Sequence, residues 1–81
     1  MKAYLGIDVG SVTTKLAAVD EEDRLIARIY LLTQGKPIEM VQRGLVQIKE
    51  MLPTDIEIRG VATTGSARYL AGVIVNADLV K

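Results

Sequence analysis

From Ala3 to Val9 the chain is largely apolar and ends at Asp8-Val9-Gly10, which predicts a buried strand entering a tight turn. A second run, Thr14 to Asp20, alternates. Leu16 and Ala18 fall on one face and Lys15, Ala17 and Val19 on the other, so this run is expected to pair with the first as a hairpin. The acidic stretch Glu21-Glu22-Asp23 then reads as a solvated turn rather than a metal site. Beyond it, Arg24 to Thr33 alternates Leu25, Ala27, Ile29 and Leu31 with Ile26, Arg28, Tyr30 and Leu32, giving a third antiparallel strand.

The period changes after Gln34-Gly35-Lys36. Pro37 stands where a helix tolerates proline best, and Ile38, Val41, Leu45, Ile48 and Leu52 recur at spacings of three and four. This predicts one amphipathic helix, with Glu39 and Arg43 paired across a turn on its wet face and Pro53 ending it. From Ile56 to Thr63 alternation returns. A strand reached by a helical crossover should run parallel to an earlier one. Thr64-Gly65-Ser66 reads as a strand-to-helix turn, Ala67 to about Gly72 as a short helix, and Val73-Ile74-Val75 as strand or loop.

The order is three antiparallel strands, a helix, a parallel strand and a short helix, the pattern of an α/β domain with helices on a mixed sheet. Its parallel part has hardly begun at Lys81, so residues 1–81 are expected to be one part of a larger domain. An unfinished sheet leaves strand edges and an apolar helix face open, which predicts a homo-oligomer.

Composition narrows the chemistry. An apolar fraction of 49% and a charged fraction of 25% are those of ordinary globular sequence. Net charge is zero and the basic residues are scattered, which argues against a nucleic-acid partner. Without cysteine or histidine there is no disulfide, no thiolate metal site and no histidine base, so chemistry must come from carboxylates, hydroxyls, lysine and backbone. The first residues form neither a signal-peptide core nor a membrane span, and a cytoplasmic protein with no membrane partner is expected.

The candidate site is the turn between the first two strands. A polyphosphate needs donors around it, and a glycine and hydroxyl turn supplies backbone N–H groups with side-chain oxygens beside them. Gly10-Ser11-Val12-Thr13-Thr14 fits: Gly10 lets the backbone turn and approach the phosphate, and Ser11 and Thr13 add hydroxyls. Asp8, at the end of the first strand, can orient the water shell of a magnesium ion held mainly by phosphates. Lys15 can neutralise phosphate charge. The alternatives are an ordinary Asp-x-Gly-Ser turn and a solvated strand lysine. No Gly-Lys-Ser/Thr follows and no helix opens after the turn, so neither a P-loop nor a dinucleotide fingerprint is present.

The run Tyr4-Leu5-Gly6-Ile7-Asp8-Val9-Gly10-Ser11-Val12-Thr13-Thr14-Lys15 resembles the first phosphate motif of the actin/hexokinase/heat-shock-chaperone ATPases. Within them it is most similar to the activators of 2-hydroxyacyl-CoA dehydratases and the related ATPase subunits of benzoyl-CoA reductases. Their motif reads Gly-Ile-Asp-x-Gly-Ser-Thr-Thr-Thr-Lys, so Val12 replaces a threonine and one hydroxyl is lost. A second stretch, Gly60 to Leu70, resembles a Thr-Gly turn that in the family faces the nucleotide cleft; Ala67 stands where the family has glycine.

The resemblance implies a ribonuclease H-like, actin-like ATPase domain of which this chain is the N-terminal part. It implies ATP and magnesium as ligands, with Gly10, Ser11, Val12, Thr13 and Lys15 on the phosphates, Asp8 on magnesium through water, and Thr64, Gly65 and Ser66 at the cleft. Family members are homodimers with an iron–sulfur cluster between subunits, and use ATP to drive an electron into a dehydratase or reductase partner. The cluster's cysteines lie further along in them, and this chain has none. The residue activating the hydrolytic water is not identified, and the chain alone is expected to be inactive. The alternatives are a segment of a sugar or small-molecule kinase of the same superfamily, and a non-catalytic interaction module.

Overall fold

The computed structural model describes residues 1–65. Three strands come first: β1 Lys2–Val9, β2 Thr13–Asp20 and β3 Leu25–Leu32. Helix α1, Pro37–Met51, then leads to β4, Glu57–Gly65. They form one sheet in the order β3-β2-β1-β4, antiparallel from β1 to β2 and β2 to β3, parallel from β1 to β4. The α/β class, the hairpin and the crossover to a parallel strand stand as the alternation predicts.

Alternation sorts the sheet into two faces. Leu5, Ile7, Val9, Leu16, Ala18 and Ala27 are buried with Val41, Leu45, Ile48 and Leu52 of α1, with Ile29, Ile58 and Val61 half-buried against them. α1 lies chiefly over β2 and β3. The opposite face carries Tyr4, Asp8, Lys15 and Tyr30, all exposed, and α1 does not cover it.

Two irregularities displace the predicted pattern. The β2–β3 register slips between Ala18 and Val19, whose partners are Ala27 and Leu25, leaving Ile26 as the extra residue. A bulge of this kind shifts the parity of the residues before it. Leu25, expected on the face of Ala27, is therefore exposed, and Ile26 packs on the core instead. The β1–β4 ladder slips in the same way around Arg59.

On α1 the difference is at the first turn: Ile38, expected on the core face, is exposed, and Met40 is buried with Val41, Gly44, Leu45 and Ile48. A Cβ on Gly44 would strike the Leu16 side chain, so the missing side chain is what leaves room for the row Met40, Gly44, Ile48 and Leu52 to lie against the sheet. The Glu39–Arg43 pair forms at 3.7 Å on the exposed face, as expected.

The acidic turn is a solvated turn, organised by the residue before it. Asp20 Oδ1 accepts the N–H groups of Glu22 and Arg24 at 2.8 and 2.9 Å, and its Oδ2 accepts Arg24 Nε at 2.9 Å. These donors, the Arg24 N–H first, hold the Asp20 carboxyl below its ordinary value. After β3, Gln34 and Gly35 both have positive φ, 53° and 70°, and Lys36 N–H donates to the Thr33 carbonyl at 2.9 Å. That is a type I′ turn.

β4 continues through Thr64 and Gly65, which pair with Asp8 and Val9, so these two residues extend the ladder where a strand-to-helix turn is expected. Parallel hydrogen bonding to β1 holds them extended for as long as β1 lasts. Ser66, the short helix from Ala67 and the segment Val73-Ile74-Val75 lie outside the described residues. Among the described residues no helix is long and apolar enough to cross a membrane.

Candidate functional site

β1 and β4 run in the same direction and finish together, so Asp8 and Val9 lie beside Thr64 and Gly65 at one end of the sheet. The β1–β2 turn leaves from that end. In open α/β sheets ligands gather outside the carboxyl ends of parallel strands, beside a point where chain direction changes. Here β1 has a parallel neighbour on one side and an antiparallel one on the other. All the predicted site residues within 1–65 meet there.

The turn itself is short. Gly10 N–H donates to the Thr13 carbonyl at 2.8 Å, leaving Ser11 and Val12 at the tip, both exposed. Gly10 is not in the left-handed region, and a Cβ on it would meet the Thr13 carbonyl oxygen at 3.5 Å, an ordinary contact. The turn thus does not need the glycine, contrary to the expectation from sequence. Only close approach by a ligand would.

Behind the tip sits a hydroxyl pair that the sequence did not suggest. Thr14 and Thr33 are fully or nearly fully buried, with their Oγ1 atoms 2.9 Å apart. Thr33 Oγ1 donates to the Gly10 carbonyl at 2.8 Å, and Thr33 N–H donates to the Val12 carbonyl at 2.8 Å. A hydroxyl has one proton, so Thr14 is the donor in the bond to Thr33. Two buried polar groups and two loop carbonyls are satisfied at once. No local signal marks this arrangement, since the two threonines lie 19 positions apart and meet only through strand register.

Asp8 and Lys15 are opposite one another in the β1–β2 register, on the face away from α1, with Tyr30 beyond Lys15 on β3, and Thr64 is the register partner of Asp8 on β4. Lys15 Nζ lies 5.8 Å from the centroid of the Tyr30 ring, a cation–π distance. Its ammonium therefore leans toward β3. Beside this row lies one of small residues, Ala17, Gly6 and Ala62, also opposite one another. The small row floors a shallow hollow of about 240 Å³ rimmed by Asp8 and Lys15. A second hollow, of about 570 Å³, lies between Lys15, Arg28 and Tyr30.

Among the described residues no group of three or more carboxylates, histidines or cysteines stands ready to hold a metal. A single carboxylate at Asp8 suits a magnesium ion that draws most of its ligands from phosphate and water. An iron–sulfur cluster does not fit these residues, because the chain supplies no cysteine to ligate it.

No protein-family model matches the chain, and neither does any curated protein.

Proposed function

We propose that this chain carries the first phosphate-binding hairpin of an ATPase domain of the actin/hexokinase superfamily, built on a ribonuclease H-like sheet. The specific form of the proposal is an ATP-dependent activator of a 2-hydroxyacyl-CoA dehydratase or benzoyl-CoA reductase, a cytoplasmic protein acting with that enzyme as partner and as a homo-oligomer. The activity belongs to the assembled ATPase, and the hairpin contributes phosphate grip.

The observation that carries this reading is the convergence, at one sheet end, of a turn whose glycine the fold does not require with Asp8, Lys15, Thr64 and Gly65. The roles follow from the chemistry of each group. Backbone donors at Ser11 and Val12, with the hydroxyls of Ser11 and Thr13, take phosphate oxygens; Lys15 swings from Tyr30 to balance their charge; Asp8 orients water on magnesium. The strand order β3-β2-β1-β4, with its crossover through α1, agrees with the proposed sheet.

Gly10→Ala tests the reading. A methyl at this position meets only an ordinary contact in the fold, so stability should be nearly unchanged, while a phosphate approaching the backbone is obstructed. Titration of the 15N-labelled chain with Mg-ATP should shift the amides of Ser11, Val12 and Thr13 at millimolar nucleotide. The shifts should be lost in Gly10→Ala and weakened in Lys15→Ala and Asp8→Ala. Amides of the turn that stay unmoved by Mg-ATP in the wild-type chain would sink the proposal.

A further inference from the structure

We propose that Thr33 is a positioning residue for the phosphate surface of the hairpin, acting through the Gly10–Ser11 peptide; the inference rests on the phosphate-binding reading above. In a trans peptide the carbonyl of one residue and the N–H of the next point in opposite directions. Thr33 Oγ1 draws the Gly10 carbonyl toward the buried side, where Thr14 and Thr33 lie. The Ser11 N–H of the same peptide is then directed the other way, toward the face that carries Asp8 and Lys15. It makes no hydrogen bond among the described residues.

A free turn of two residues samples several peptide orientations, and in an ordinary tight hairpin the carbonyl before the tip accepts the N–H after it. Here the Gly10 carbonyl is bonded to Thr33 instead. The Thr33 N–H fixes a second carbonyl, that of Val12, so both sides of the tip are tied to Thr33, the residue that follows β3. Thr33 is itself held in place by the type I′ turn at Gln34-Gly35 and by the Thr14 hydroxyl. A donor set in advance costs less ordering when the anion arrives, which is how such a tie raises affinity without touching the ligand.

Inorganic pyrophosphate with magnesium is the probe, read by the Ser11 amide shift and by calorimetry on the whole chain. Thr33→Val keeps size and backbone N–H but removes the hydroxyl, and should weaken binding about tenfold, the equivalent of one hydrogen bond. Thr33→Ser should restore wild-type affinity. Thr14→Val also removes a buried hydroxyl but leaves the Thr33 bond to Gly10 only less firmly held, so it should lower thermal stability much as Thr33→Val does while costing clearly less affinity. If Thr33→Val does not fold, Thr33→Ala takes its place with the same expected loss of affinity.

Affinity in a folded Thr33→Val or Thr33→Ala variant equal to wild type overturns the role of Thr33 alone. So does an equal loss in Thr14→Val. No binding by the wild-type chain overturns the phosphate reading and, with it, this role.

Discussion

At the scale of single residues, Asp20 shows how one side chain can organise a turn that composition describes only as acidic. Its carboxylate accepts two backbone N–H groups and the Arg24 guanidinium, while Glu21, Glu22 and Asp23 around it are exposed. Those donors favour the charged form, so the carboxyl titrates below its ordinary value of 3.8 in the folded chain. A lowered folded value means that the stabilisation is present above the unfolded value and is lost as pH falls through the folded one. Asp20→Asn should therefore melt lower than wild type at neutral pH, and the two melting curves should converge as pH drops below the ordinary carboxylate value. Thermal unfolding followed by circular dichroism checks this, and a gap that stays constant into acid would refute the charge argument. The alternation that located this turn is blind to it, because Asp20 is simply the last residue of a strand until its hydrogen bonds are seen.

At the scale of elements, what was read from sequence was period, and what was missed was any local break in it. Leu16 and Ala18 share one face of β2, as the alternation predicts, and that face is the buried one, whereas β1, read as a buried strand, exposes Tyr4 and Asp8 on its other face. β3 loses parity at Ile26, where a bulge leaves no trace because both faces hold apolar residues, and β4 at Arg59, where the spacing of three from Ile58 to Val61 is its mark in the sequence. The helix was located correctly by its spacing, but its rotation depends on Gly44. A Cβ there would lie 2.5 Å from Leu16 Cδ1 and 3.3 Å from Cδ2, and Leu16 is fully buried and cannot swing out.

Two effects then oppose each other in Gly44→Ala: a helix-propensity gain of about 1 kcal/mol and an overpacking cost of about 1–3 kcal/mol. The methyls that clash belong to a leucine that is fully buried and packed on all sides, so overpacking should win and the variant should be less stable by about 1 kcal/mol in urea unfolding. In a Leu16→Ala background the clash is gone, and the same substitution should become stabilising. Failure of that sign reversal would mean that Gly44 is not what sets the helix against the sheet.

At the scale of the whole molecule, the candidate site is divided between parts of unequal support. The hairpin belongs to β1 and β2, with α1 over β2 and β3 and the Thr14–Thr33 tie behind its tip. Thr64 and Gly65 belong to β4, which among the described residues lies at the edge of the sheet and is scarcely touched by α1. The sequence revealed the hairpin because its residues are contiguous; the meeting of Asp8 with Thr64 depends on a crossover and a register that no local pattern contains.

Elements with little apolar cover open at lower free energy than the core they adjoin. Native-state hydrogen exchange under rising urea should therefore show β4 amides, and the β1 amides that bond to β4, exchanging through a partial opening of small denaturant dependence, while β2 amides and the β1 amides that bond to β2 exchange only with global unfolding. If β4 exchanges together with β2, the sheet is one cooperative unit and this division is wrong. If the division holds, pyrophosphate should protect the Ser11 amide with little effect on β4, because the anion needs the tied hairpin and not the strand beside it.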